Sequence, residues 1–165
     1  MNHYTMLWPQ RYCHFLSTTP EAGQPLRFLW GGHNLQTRFS HFKVQQNDFI
    51  YPVCVKARIV YLIARMKVKT VMSRHEYIDL HPEDNYLIYH NCATEVLVGC
   101  ESTAINFTTA IPQQILERCR FQSSKQERGL KYLIDGKLTH SISLQGVYRL
   151  SELSAIDFAQ LLNCN

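Results

Sequence analysis

Hydrophobic and polar residues alternate most regularly between residues 48 and 71. Residues 48–55 and 59–71 are two runs rich in β-forming residues, and only three residues separate them. In the second run, one set of alternate positions is apolar and the other is largely cationic or aromatic. The apolar set is Val60, Leu62, Ala64, Met66 and Val68; the other set is Tyr61, Ile63, Arg65, Lys67 and Lys69. A period of two predicts a half-buried antiparallel strand with a basic, partly aromatic outer face.

Several shorter segments are also typical of strands. Residues 26–30, LRFLW, are typical of a short strand that ends at a pair of glycines, Gly31 and Gly32, which allow positive φ and the close approach of a partner. Residues 11–18 have strand-like composition, and residues 85–90 and 95–101 could each form a strand. A further pair, Asp135-Gly136, predicts a tight turn between two short extended runs.

Three segments predict helices. Ser73 and Glu76 have the spacing of a capping box, which predicts a short helix over residues 73–80. A second helix is expected to begin at Pro112, since proline suits the first turn of a helix. Ser151 is expected to cap a last helix that runs towards the end of the chain.

These elements predict an α+β fold. The arrangement that fits best is a small, bent antiparallel β-sheet or barrel flanked by about three helices. The 165 residues, of which 45% are hydrophobic and 12% aromatic, are enough to bury one core, so residues 1–165 are expected to form a single domain.

The sequence contains no segment typical of a membrane or secreted protein. The longest uninterrupted apolar run, residues 59–64, is far shorter than the ~20 residues needed to cross a bilayer. The first residues lack the basic region, apolar core and cleavage site of a secretory signal. We therefore expect a cytoplasmic protein with no membrane partner.

Six cysteines are scattered singly along the chain. They are Cys13, Cys54, Cys92, Cys100, Cys119 and Cys164. No Cys-x-x-Cys motif occurs, and a metal site would need ligands from distant segments. The cysteines are interpreted as buried, reduced thiols rather than disulfides or metal ligands, and neither a metal nor another cofactor is expected.

The net charge is only +4, but the charges are segregated along the chain. Between Glu21 and Glu76, Asp48 is the only acidic residue against nine basic ones, whereas residues 76–101 contain six acidic residues and no lysine or arginine. Such a layout favours a surface with one positive region, suited to phosphates or another anionic partner. The alternative is an ordinary solvated surface on which the charges neutralise one another.

Two clusters of residues are candidates for ligand binding. The first surrounds the glycine pair and consists of Trp30, His33, Arg38, Phe39, Phe42 and Lys43. Aromatic rings interleaved with cations suit stacking on bases together with phosphate contacts. The alternative places the aromatic residues of this cluster in the core and its polar residues in solvent.

The second cluster starts in the polar segment 123–133. It consists of Lys125, Glu127, Arg128, Lys131, Ser141, Ser143, Gln145 and Arg149. Three cations close together before a tight turn favour a ligand contact over mere solubility. Glu127 and Lys131, four residues apart, could instead form a helical ion pair.

No motif for a specific reaction is present. The sequence lacks a hydrolase elbow, a phosphate-binding loop and the zinc-protease and deaminase signatures. The eight histidines stand in no recognisable arrangement with a nucleophile and an acid, so each is expected to be structural or on the surface.

The segment 44–71 resembles the PUA-like group of small barrels, which includes ASCH and EVE domains. Those domains carry a Gly-Asp pair followed by Ile or Val and Tyr, and residues 44–51, VQQNDFIY, are similar to this pattern with Asn47 in place of the glycine. Asparagine also tolerates positive φ. Residues 64–68 resemble the following strand. The ASCH motif Gly-x-Lys-x-x-Glu-x-Arg is absent.

The resemblance implies a bent barrel flanked by helices that binds RNA or DNA, in some members by enclosing a modified base. The aromatic residues nearest the matched segment are Trp30, Tyr51 and Tyr61. Residues 105–165 have no counterpart in these domains and would be an elaboration of the barrel.

Three functional hypotheses follow. The leading one is a module that binds RNA or DNA; its candidate site residues are Trp30, His33, Arg38, Lys43, Tyr51, Arg65, Lys67, Lys125, Arg128, Lys131 and Arg149. The second is a small enzyme acting on a nucleotide or nucleic acid, with Glu127, Lys131 or a histidine as acid or base. The third is a regulator or inhibitor that docks on a protein partner through its charged surface.

Overall fold

A computed structural model describes residues 1–32, 37–88, 93–123 and 126–163. The described residues form an α+β fold with eleven strands and four α-helices. The strands are β1 (His3–Trp8), β2 (Phe28–Gly32), β3 (Phe49–Lys56), β4 (Ile59–Leu62), β5 (Met66–Ser73), β6 (Ala93–Ser102), β7 (Arg120–Gln122), β8 (Glu127–Gly129), β9 (Leu133–Ile134), β10 (Lys137–Leu138) and β11 (Val147–Leu150). The helices are α1 (Gln10–Ser17), α2 (Arg74–Leu80), α3 (Gln113–Arg118) and α4 (Glu152–Asn163), and short 3₁₀ helices cover Pro82–Leu87 and Ser141–Leu144.

The main sheet is mixed rather than antiparallel. Its strand order is β2-β6-β5-β3-β1-β11-β7-β8, with β4 paired to β3 beside this path, and β9 and β10 form a separate hairpin. β1 pairs with β3 in parallel, which corrects the expectation of an antiparallel sheet. A parallel pair requires a long crossover, and the chain between these strands supplies one that contains α1 and β2. The described strands do not close into a barrel.

Two hydrophobic cores lie on opposite faces of the central strands. In β3, Ile50 and Cys54 belong to the first core, whereas Tyr51 and Val53 belong to the second. This division follows from the period of two along a strand. The first core is covered by α1, α2 and the β2–β6 side of the sheet, and the second by α3, α4 and β7. Helices and further strands therefore pack against both faces of the sheet at β1 and β3.

The helix predictions are confirmed, and one strand prediction is wrong. Ser73 and Glu76 form the capping box at the start of α2, and the Ser151 side chain accepts a hydrogen bond from the Ser154 backbone N–H (3.4 Å) at the start of α4. Residues 11–18, expected as a strand, lie almost entirely within helix α1. Tyr12, Cys13 and Leu16 are buried at helical spacing, so tertiary burial outweighs strand-like composition.

The long run at residues 59–71 is divided into two strands. Its apolar set of alternate residues is buried, as predicted, but the strand is interrupted at residues 63–65. Because of this break Ile63 is 1% exposed instead of lying on the outer face. The turn at Asp135-Gly136 is confirmed, with both residues at positive φ (48° and 71°) between β9 and β10.

Two expectations for the segments around β2 and β6 are corrected. Residues 85–87 belong to a 3₁₀ helix rather than a strand, and residues 89 and 90 lie outside the described part of the chain. Gly31 does not have a positive φ; a Cβ there would lie 2.6 Å from the Thr37 carbonyl oxygen. The group that approaches Gly31 closely is therefore the Thr37 carbonyl of the same chain.

Over the described ranges, none of the helices has the length and apolar character needed to cross a membrane.

Candidate functional site

An open groove of about 1050 Å³ lies at the β1–β11–β7–β8 end of the sheet. One wall is the start of β1 together with the loop 41–45, and the other is β7, β8 and the flanking residues Ser123 and Gln126. β11 contributes residues 147–149 between the two walls. The groove is thus formed by the first few residues of the chain, by the loop 41–45 and by strands from its last third.

Strand register places four polar side chains in one row across this part of the sheet. Tyr4 of β1 is opposite Arg149 of β11, which is opposite Gln122 of β7, which is opposite Glu127 of β8. Residues directly opposite one another in a sheet point to the same face. Arg149 therefore lies between the Tyr4 phenol and the Gln122 amide, and the Glu127 carboxylate follows one strand further along the row.

The loop 41–45 is held against β1 by the buried carboxylate of Asp48. Its Oδ1 accepts a hydrogen bond from the Asn2 backbone N–H (2.7 Å), and its Oδ2 accepts one from the Gln45 backbone N–H (3.0 Å). The Tyr4 hydroxyl donates to the Phe42 carbonyl at 3.4 Å. These bonds fix the position of Lys43, whose backbone is left-handed (φ 56°). Burial and the nearby Asp48 carboxylate raise the pKa of Tyr4, so this hydroxyl remains a donor.

Lys43 and Arg149 differ from several other cations in having no acidic partner. Both are exposed, and neither forms an ion pair with any described residue. In contrast, Lys67 pairs with Glu101 at 2.7 Å and Arg118 pairs with Asp157 at 2.6 Å. The groove cations therefore keep their charge available to a ligand.

Arg128 lies at the rim of the groove and has a different environment. Its guanidinium carbon is 4.4 Å from the centre of the Tyr148 ring and 5.1 Å from that of Phe121. Arg128 is opposite Phe121 in the sheet, so it points to the face away from Arg149. The guanidinium therefore stacks on two rings packed in or against the second core.

The structure brings together three of the eleven sequence-predicted site residues. Lys43, Arg128 and Arg149 all line the groove, so one residue of the first cluster meets two of the second. His33 and Lys125 lie outside the described residues. The remaining six candidates are elsewhere in the fold.

Two of those six are aromatic residues used in packing. Tyr51 is fully buried in the second core, with its ring edge-on to Phe158 at 5.9 Å. Trp30 packs against the first core, edge-on to Tyr12 at 5.4 Å. Neither ring lines the groove. For Trp30, this agrees with the alternative that places the aromatic residues of the first cluster in the core.

The other four are cations with separate surroundings. Arg38 lies in a depression near Glu76 and Glu95. The guanidinium of Arg65 lies over the Phe49 ring at 5.4 Å, and Lys67 is paired with Glu101. Lys131 is exposed outside the groove.

Sequence reasoning missed the groove residues at and just before the start of β1, and the aromatic residue of β11. Asn2, Tyr4 and Tyr148 line the groove, and none of them was a candidate. A period of two was visible in β1, where Tyr4, Met6 and Trp8 are buried. That pattern predicts a strand but does not show that it pairs with β11, which lies about 140 residues further along the chain.

One group of side chains within the described ranges has the spacing of a metal site, and it lies away from the groove. Ligand atoms of His81, Glu83 and Asp84 lie within 4.8 Å of one another. The Asp84 carboxylate is already bound by Arg27 (2.8 and 3.0 Å) and by the Tyr77 hydroxyl (2.6 Å). The Asp84 carboxylate is therefore already used in hydrogen bonds within the fold.

No protein-family model matches the chain, and the curated proteins include none with detectable sequence similarity. The chemistry of the groove is therefore the basis for a functional assignment.

Proposed function

We propose that the chain is a nucleic-acid-binding module and that the groove holds the nucleic acid. The observation that carries this proposal is the meeting of Lys43 and Arg149, two cations without acidic partners from distant parts of the chain, in one open groove with aromatic walls. Phosphates would contact these cations, and Arg128 would contact the backbone at the rim. Among the described lining residues, three cations stand against one carboxylate, that of Glu127, and give the groove a positive potential.

The shape of the groove favours a polymer over a small molecule. Small-molecule sites are enclosed clefts of ~300–1,000 Å³ with mostly apolar walls. This groove is open, and its lining mixes Gln122, Ser123 and Gln126 with the aromatic residues Phe42 and Tyr148. Amide and hydroxyl groups beside aromatic edges suit a strand whose bases are unpaired and whose phosphates lie along the cations.

The segment that resembles PUA-like domains supports the same ligand class. Asn47, which replaces the usual glycine, has φ 70°, so the left-handed turn of that pattern is retained. The adjacent Asp48 is the residue that fixes the loop 41–45 beside the groove. A PUA-like module would thus use its matched segment to shape the binding surface.

The proposal is tested by a fluorescence-anisotropy titration of the protein with short single- and double-stranded RNA and DNA at two salt concentrations. We expect saturable binding that weakens at the higher salt concentration, because each neutralised phosphate releases counterions. Unpaired strands are expected to bind more tightly than duplexes. Absence of binding to all four oligonucleotides would overturn the proposal and direct attention to a protein partner.

A further inference from the structure

A second, smaller pocket of about 140 Å³ lies between helix α1 and strands β3 and β4, and it contains two cysteines. Cys13 projects from α1 and Cys54 from β3, and both line this pocket. His14 and Lys56 contribute basic groups to the same walls. The pocket shares no lining residue with the groove, so its chemistry is independent of nucleic-acid binding.

Cys13 and Cys54 border the same small pocket from two elements that pack against each other, α1 and β3. The neighbouring Cys13 side chain lowers the pKa of Cys54, and Lys56 lowers it further against the opposing effect of burial. The Cys54 side chain and burial raise the pKa of Cys13. Cys54 is therefore the thiol of the two that ionises more readily.

We propose that Cys13 and Cys54 form a peroxide-reactive thiol pair that closes to a disulfide between α1 and β3. The proposal rests on three features found together: two adjacent thiols on different elements, a pocket that gives small molecules access to them, and basic side chains in its walls. Both thiols border the first core and are only 6% and 4% exposed, so the pocket is their route of access for a small oxidant. Basic side chains close to a thiol favour its reactive thiolate form.

The reaction needs a peroxide as the oxidant. The Cys54 thiolate attacks one oxygen of the peroxide; an S–O bond forms, the O–O bond breaks, and the leaving oxygen takes a proton to become water or an alcohol. The Cys13 sulfur then attacks the Cys54 sulfenic acid; an S–S bond forms, the S–O bond breaks, and the departing hydroxide leaves as water with the Cys13 proton. Two thiols are oxidised by two electrons, and the peroxide is reduced by two.

The chain contains two internal comparisons for this reaction. Cys100 is exposed and hydrogen-bonded to the Lys67 carbonyl, so it tests whether accessibility alone decides reactivity. Cys119 is buried in the second core, where desolvation raises its pKa to about 12, so it should not react. If the pocket matters, Cys54 is oxidised before either of them.

The test is native-state treatment with limiting hydrogen peroxide, followed by alkylation of the remaining thiols and peptide mass spectrometry. We expect a Cys13–Cys54 disulfide as the first product, and thiols at Cys100 and Cys119. In Cys13→Ser, the sulfenic acid should persist at Cys54 and be trapped by dimedone. In Cys54→Ser, the disulfide should be absent and Cys13 should react more slowly than Cys54 does in the parent.

Oxidation of Cys100 before Cys54, or no linkage of Cys13 to Cys54 in the folded parent, would overturn the proposal. Circular dichroism of the parent and of both serine variants shows whether each is folded under the same conditions. The parent experiment alone decides the order of reaction if either variant fails to fold.

Discussion

The double substitution of Lys43 and Arg149 by alanine is expected to weaken binding of a single-stranded oligonucleotide about 100-fold at low salt. Hydrogen bonds to charged groups contribute about 1.5–3 kcal/mol each, which corresponds to about tenfold or more for each cation. Because each substitution also removes one phosphate contact, the slope of log K against log salt should become shallower by about 2. Anisotropy titrations over a series of salt concentrations measure both quantities.

The matched control is the double substitution of Lys131 and Lys137 by alanine. Both lysines are exposed, lie outside the groove and form no ion pair with a described residue. The control removes the same two charges from the molecule, so a general effect of net charge would appear equally in both variants. Equal weakening in the two double variants would show that binding is not localised to the groove.

The substitution Arg27→Ala is expected to lower the free energy of unfolding by about 2–3 kcal/mol. Arg27 binds both oxygens of the Asp84 carboxylate, whose side chain is only 3% exposed. Without the guanidinium, Asp84 becomes a buried charge whose remaining side-chain hydrogen bond, among the described residues, comes from the Tyr77 hydroxyl. Removing one partner of a buried pair costs about 3–5 kcal/mol, and we expect less here because Arg27 itself is 46% exposed. Urea unfolding of the parent and the variant measures the difference.

Arg118→Ala is the control for this prediction. Arg118 also pairs with an aspartate, Asp157, but its own side chain is 61% exposed and that of Asp157 is 13% exposed. Exposed ion pairs contribute little to stability, so this variant should lose much less free energy of unfolding than Arg27→Ala does. Equal losses in the two variants would contradict the structural role assigned to the Arg27–Asp84–Tyr77 contacts.

The stability difference caused by Arg27→Ala should also depend on pH. Burial on its own would raise the pKa of Asp84, but hydrogen bonds from Arg27 and Tyr77 outweigh it and hold the pKa below its ordinary value. A lowered carboxyl pKa in the folded state stabilises the protein above the ordinary pKa of about 3.9 and loses this effect as the pH falls through the folded value. The difference between parent and variant is therefore expected to be full at pH 7 and to shrink below about pH 4.

Local sequence signals predicted the local structure well. The capping box at Ser73, the turn at Asp135-Gly136 and the apolar alternate positions of residues 59–71 all appear in the structure as expected. Each depends on side chains within a few residues of one another, so a single sequence contains the information. Strand-like composition at residues 11–18 failed because α1 is selected by packing against the first core.

The assembly of the groove could not be predicted in the same way. Lys43 and Arg149 were both candidates, but their meeting depends on the parallel pairing of β1 with β3 and the antiparallel pairing of β1 with β11. Such pairings join residues far apart in sequence, and neither composition nor periodicity specifies them. For the same reason, Arg65 and Lys67, which the sequence placed on one predicted strand, were expected in the site, although each has its own partner in the fold.

The most direct test of the groove assignment is ultraviolet cross-linking of the protein to a short single-stranded RNA and DNA, with the cross-linked peptides identified by mass spectrometry. Aromatic side chains that lie against bases form such cross-links, so we expect adducts at Phe42 or Tyr148, both of which line the groove and are partly exposed. Binding with adducts confined to other regions, such as the surface around Arg38 or helix α4, would contradict the assignment of the groove as the nucleic-acid site.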